Sequence, residues 1–366
     1  MILGTWGSPS PGSLHVVLKV LAEIGLIQLM FLAGLEVDWR GLKKQLNLSF
    51  SVGALGFVLT ALSIAIITRV FLDRWEEALA LSAIMSASSF GISVYYFKEM
   101  KALGSRVAAM VLGAAILIGL LSILLMIASQ ATIYTVTYGG LKMIIAVSWF
   151  LAKLIMFFAI AYFLTSRFLK LVAKTGFAKR PRQMLIGYLL LVAALYAWAS
   201  MHFGSFAAVG VASLGGMLFG TSNLEVKKKI PKGFESISTS IPVGILFMVM
   251  GMEVNIKEAR SYIPFLAGVF IIVVGAKLVG SWIATRKEFD SVSERLLIMI
   301  GFFPQGEMGM LIAAYLFSRG LLNPSSFNIA IVAVVVLTMV SPIAMRFASA
   351  NLGALRASAA IVDSER

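Results

Sequence analysis

Along this chain, apolar runs of helix-spanning length alternate with short segments rich in Lys, Arg, Gly or Pro. The runs lack the two-residue alternation of half-buried strands and are too long for core helices, so they predict membrane-spanning helices. Cutting them at charged, Pro or Gly breaks gives eleven spans, over 13–36, 47–71, 75–99, 104–129, 141–168, 182–202, 204–220, 234–253, 261–286, 291–318 and 323–349. The predicted fold class is an all-α polytopic membrane protein. Composition agrees, with 60% hydrophobic residues, 13% charged residues and a mean hydropathy of +0.94. A chain of 366 residues holds about ten to twelve spans and leaves no room for a large soluble domain.

The net charge of +14 changes the picture less than its placement does. Of 31 Lys and Arg residues, 22 fall in alternate loops, including Arg40, Lys43 and Lys44, the 167–182 segment and Lys227 to Lys229, while six fall in the opposite loops. The positive-inside rule puts the richer loops in the cytoplasm, the N-terminus outside and the C-terminus inside a cytoplasmic membrane. The same placement argues against a nucleic-acid partner, which would require a basic face on a soluble module. Met1 to Gly12 carries no charged side chain and does not read as a signal peptide. The chain has no cysteine and two histidines, which excludes disulfides, iron–sulfur clusters and a Cys or His metal site, so no metal or cofactor is expected. No nucleophile, Walker or dinucleotide motif occurs in a strand–helix context, so the chain does not read as an enzyme.

Shifted by 217 positions, the sequence repeats itself: Gly34-Leu35-Glu36-Val37-Asp38 recurs as Gly251-Met252-Glu253-Val254-Asn255. Seven spans separate the copies, so the repeat is inverted, a pattern of secondary transporters with paired discontinuous helices at the midplane. Chance similarity of two apolar segments is the plainer alternative. Spans three and ten correspond, and both are interrupted. Span ten carries Phe303-Pro304-Gln305-Gly306-Glu307-Met308-Gly309, where proline removes a donor and glycines weaken the helix. Span three carries Ser86-Ala87-Ser88-Ser89-Phe90-Gly91-Ile92-Ser93. The expected organisation is a first repeat over 1–129, a linker helix and basic loop over 130–181, a second repeat over 182–349 and a short cytoplasmic tail over 350–366. Only twelve residues precede Ser13, so the repeat leads one to expect a chain that begins about two helices late.

Phe31-Leu32-Ala33-Gly34-Leu35-Glu36-Val37-Asp38, the Gly210 to Gly220 stretch, Phe247 to Gly251, Lys277-Leu278-Val279-Gly280 and Gly306-Glu307 together resemble the monovalent cation:proton antiporter superfamily, especially the second cation:proton antiporter family. The resemblance implies an inverted-repeat sodium/proton antiporter-like fold with two crossed discontinuous helices. It also implies a dimerisation domain and a mobile core of spans two to four and nine to eleven. The implied partners are a small inorganic cation, the proton, membrane lipid and a second copy of the chain in a homodimer. In such exchangers span four carries an Asp-Asp or Asn-Asp pair, which falls here on Ile118-Gly119, and span four contains no carboxylate.

The chemistry is therefore expected from other residues. Lys277 lies mid-span, where an ammonium costs about 2.5 to 3.5 kcal/mol on insertion scales and is usually paired or functional. By the resemblance it would face the missing aspartate. Glu307 is the carboxylate nearest the predicted midplane, either a proton carrier or a structural element of the break. Ser88, Ser89 and Ser122 offer hydroxyl oxygens, or serve helix packing instead. Lys19 with Glu23 reads as an i, i+4 ion pair. Three readings follow: a monovalent cation/proton antiporter working by alternating access; a transport-dead homologue acting as scaffold or sensor; or an anion or organic-solute transporter on the same fold.

Overall fold

The computed structural model describes residues 44–72, 74–138, 262–289 and 291–350, with isolated positions elsewhere. The chain divides into two compact units, residues 1–39 with 148–252 and residues 40–147 with 253–366. The first is described at isolated positions alone, and spans one and five to eight lie outside the described residues. The second unit gathers two stretches of chain far apart in sequence.

Its regular structure is helical throughout the described residues: α1 (Leu46–Leu72), α2 (Trp75–Ser86), α3 (Phe90–Glu99), α4 (Arg106–Tyr138), α5 (Ile263–Thr285), α6 (Val292–Gly301), α7 (Gly306–Ser318) and α8 (Pro324–Ala350). Helix starts recur at nearly constant spacing between the halves. Leu46 and Ile263 lie 217 apart, as do Trp75 and Val292, while Phe90 and Gly306 lie 216 apart and Arg106 and Pro324 lie 218 apart. Spans three and ten are each two helices separated by a break, as their serines, proline and glycines suggested. The apolar stretch of span four ends at Ser129, and its helix continues to Tyr138 because no proline or glycine interrupts it before Gly139.

Five described helical segments are long and apolar enough to cross a membrane. Two of them, α1 and α5, leave most of their length exposed on the outside of the bundle. In α1 the small and polar side chains Ser49, Gly53, Gly56, Thr60 and Thr68 point inward, whereas Phe50, Leu62, Ile66 and Val70 stand exposed. Lipid tails offer no hydrophobic penalty to the outer face, so close packing of small residues holds the helices together. The clearest case is α1 against α5: a Cβ on Gly280 would lie 2.8 Å from the Gly56 backbone nitrogen. Inward hydroxyls are mostly satisfied by their own helix, as in Thr60 to the Gly56 carbonyl at 2.7 Å and Ser281 to the Lys277 carbonyl at 2.5 Å. This removes the cost of an unpaired polar group in hydrocarbon.

Two features place the broken helices. At one end, the buried carboxylate of Glu77 in the first turn of α2 accepts from Arg74 at 2.9 Å, Ser326 at 2.7 Å and Asn323 at 3.1 and 3.2 Å, tying the start of α2 to the start of α8. In the interior, Phe302 joins Phe57, Phe97 and Ile118 in one apolar cluster. The break in span ten is thus seated on a packed floor.

Candidate functional site

Both breaks have local causes. Helix α2 ends where Ala87 turns to ψ 157°, and Ser89 restarts the chain as the N-cap of α3, its hydroxyl accepting the Ile92 amide at 3.1 Å. Helix α6 ends at Phe302, Pro304 has no amide to donate, and Gly306 adopts φ +38°, in the left-handed region that a Cβ disfavours. A Cβ there would also collide with Ile92 Cδ1 and lie 3.1 Å from Ser89 Oγ. The amide of Gly306, which opens α7, donates instead to Thr338 Oγ1 on α8 at 2.9 Å.

The breaks cross and bind each other through their freed backbone groups. The Ser89 amide donates to the Pro304 carbonyl at 2.6 Å, the Ser88 hydroxyl to the Phe302 carbonyl at 3.0 Å, and the Ser93 hydroxyl to the Gly301 carbonyl at 2.7 Å. The Gln305 amide nitrogen donates to the Met85 carbonyl. Lys277 enters this crossing from α5. Its side chain is fully buried, and Nζ donates to the Ala87 carbonyl at 2.8 Å and the Phe302 carbonyl at 3.0 Å. Among the described residues the ammonium meets no carboxylate.

Its counter-charge comes from backbone. Ala87 and Phe302 are the C-caps of α2 and α6, and a helix C-terminus carries roughly −0.5 elementary charge. Two such ends converging on one ammonium offset roughly one positive charge. The arrangement brings two helix-end carbonyl oxygens onto the Lys277 Nζ.

The sequence-derived candidates are distributed unequally around this crossing. Lys277 and Ser88 share the Phe302 carbonyl, and Ser89 sits in the same crossing. Ser122 lies on α4, buried, with its hydroxyl unpartnered. Glu307 falls in the first turn of α7, and its side chain lies outside the described residues. Ile118 is fully buried among apolar side chains, and a Cβ on Gly119 would lie 3.6 Å from the Met308 methyl, so this stretch of α4 presents hydrocarbon. Sequence reasoning passed over Gln305, whose Oε1 is buried with no partner. A glutamine beside proline inside an apolar span was the available signal.

The sequence matches the family described as "Sodium/hydrogen exchanger, transmembrane" over residues 1–348. The chain belongs to the sodium/hydrogen exchanger family. One relative of this exchanger is the probable Na(+)/H(+) antiporter GerT of Bacillus cereus, 25% identical over 308 residues, covering 84% of this chain and 80% of that one. Another is the Na(+)/H(+)-K(+) antiporter GerN of the same organism, 24% identical over 330 residues, covering 90% of this chain and 83% of that one. The solved structure of the sodium proton antiporter MjNhaP1 from Methanocaldococcus jannaschii at pH 8 overlays with a TM-score of 0.66 at 14% identity, covering 93% of this exchanger and 87% of that chain. That overlay establishes the antiporter-like fold of the exchanger, an all-α membrane protein.

Proposed function

We propose that this exchanger is a monovalent cation/proton antiporter that works by alternating access, with Lys277 as its proton-carrying group. The observation that carries the reading is the seating of the Lys277 ammonium on the Ala87 and Phe302 carbonyls, at the crossing of two broken helices. Names of relatives point the same way, since GerT and GerN are described as Na(+)/H(+) and Na(+)/H(+)-K(+) antiporters.

The coupling is electrostatic. Two unit positive charges 4 Å apart repel by about 4 kcal/mol at an effective dielectric of 20. A cation entering the crossing therefore requires the ammonium to surrender its proton, and the neutral amine frees carbonyl oxygens that face the cation in its place. When the cation leaves, a proton returns to Nζ and the ammonium reoccupies the seat. Ser88, through the Phe302 carbonyl, and Ser89, through its amide on Pro304, hold the two breaks in register. Ser122 offers a further oxygen on α4, and Glu307 a carboxylate at the start of α7 for relaying the proton.

Movement is assigned to the second unit, the core, against dimerisation helices in a homodimer. The protein sits in the cytoplasmic membrane with its N-terminus outside and its basic loops and C-terminus inside, and its halves are inverted repeats. The test is proton release from proteoliposomes during sodium, potassium or lithium pulses. Cation-dependent release that disappears in Lys277→Gln supports the assignment, and unaltered release in that variant removes Lys277 from the mechanism. Glu307→Gln measured alongside decides whether the carboxylate shares the relay.

A further inference from the structure

We infer that Gln305 is a direct ligand of the transported cation, and that its side-chain oxygen tunes the site toward weakly hydrated monovalent ions of the potassium class. The inference rests on the antiport reading above and adds a ligand and a selectivity to it.

Gln305 is fully buried in the break between α6 and α7. Its amide nitrogen is committed to the Met85 carbonyl, which fixes the orientation of the group and leaves Oε1 as the end without a partner. An unpaired acceptor in such a place leaves its desolvation uncompensated, so an occupant that satisfies it is favoured. The neighbouring carbonyls are already engaged: Phe302 accepts from Lys277 and Ser88, and Pro304 accepts from the Ser89 amide. Oε1 is thus an acceptor that the crossing leaves unused, three residues along the chain from the seat of the ammonium.

The chemistry of the surroundings selects the occupant. A divalent ion calls for carboxylates, whereas among the described residues the oxygens at the crossing belong to carbonyls, hydroxyls and the Gln305 amide. Neutral amide and carbonyl oxygens compensate poorly for stripping a tightly held hydration shell. They suit an ion whose shell is lost at smaller cost, as in the carbonyl filters of potassium channels.

The experiment uses the full chain in detergent with rubidium as the probe and Gln305→Leu and Gln305→Glu as the variants. Thermal stabilisation by rubidium and by sodium is titrated at matched ionic strength, and proton flux in proteoliposomes is measured separately. Rubidium is expected to stabilise the unaltered protein at lower concentration than sodium does. Gln305→Leu should raise the half-saturating rubidium concentration about tenfold or more. Gln305→Glu, which keeps an oxygen and adds charge, should bind at least as tightly and shift preference toward sodium. That shift distinguishes a ligand from a residue that merely braces Met85. Equal half-saturation in the unaltered protein and Gln305→Leu, or no rubidium effect on the unaltered protein, would overturn the inference. Absence of cation-dependent proton flux with rubidium binding intact would sink the antiport reading while leaving the ligand in place.

Discussion

A lysine held by two carbonyl oxygens differs from one held by a carboxylate, because losing its proton strands no opposite charge. Lys277 is of the first kind, with the Ala87 and Phe302 oxygens as its partners. Arginine at this position would keep the positive charge and the donors, but a guanidinium does not deprotonate in proteins. Lys277→Arg is therefore expected to melt close to the unaltered protein while its cation-driven proton release falls to background. Ser88 makes a smaller contribution through a neutral hydrogen bond, so Ser88→Ala should cost about 1 kcal/mol of stability and leave exchange measurable. Thermal melting with flux in the same preparation checks both. Lys277 was legible in the sequence because an ionisable residue in mid-span stands out against hydrocarbon. Its partners were not, since a carbonyl oxygen belongs to every residue type and becomes available as an acceptor where a helix stops. Gln305 escaped for a related reason: an amide carries no charge to draw attention, and its unpaired oxygen exists through the geometry of the break.

At the level of elements, the glycines divide into those that set the geometry and those that do not. Gly280 brings α5 against α1 three residues beyond Lys277, at a place where a Cβ would come within 2.8 Å of the Gly56 nitrogen. Gly280→Ala must part the two helices and is expected to destabilise by about 1–3 kcal/mol. Gly275 lies on the same helix with open space around its would-be Cβ, so Gly275→Ala should be neutral or slightly stabilising, consistent with alanine's better helix propensity. A pair of melting curves reads the contrast. Gly306→Ala meets both a left-handed φ and the Ile92 side chain, and should abolish exchange by distorting the start of α7. The positions of both breaks were readable from Pro304, its flanking glycine and the serine cluster, whose residue types weaken helices locally. The apolar span of α4 ends at Ser129 as expected, and the helix itself continues to Tyr138 because it meets no breaker before Gly139. The Glu77 tie between α2 and α8 was not anticipated, since its donors Asn323 and Ser326 lie some 246 to 249 residues away in sequence.

For the molecule as a whole, the second unit combines helices from both halves of the chain, so the crossing is assembled only when distant segments have come together. The overlay with an archaeal antiporter at 14% identity shows how little of that architecture depends on particular side chains. Chemistry, by contrast, resides in a handful of positions. Placing a carboxylate at Ile118 tests how far the two are separable. Ile118→Asp puts a charge into the cluster that holds Phe302 and Phe57. It is expected to lower the melting temperature, and added sodium should restore part of the loss if the introduced oxygens reach the ion.

The lysine seated between two helix ends has one more consequence, for energetics. On the exchange cycle above, the core crosses one way with an ammonium and the other way with a metal cation beside a neutral amine. Its electrical load is the same on both journeys, and the membrane voltage performs no net work on the round trip. Such a device would follow the ratio of chemical gradients alone. Clamping the potential of proteoliposomes at different values should leave unchanged the ratio of cation to proton gradients at which net exchange stops.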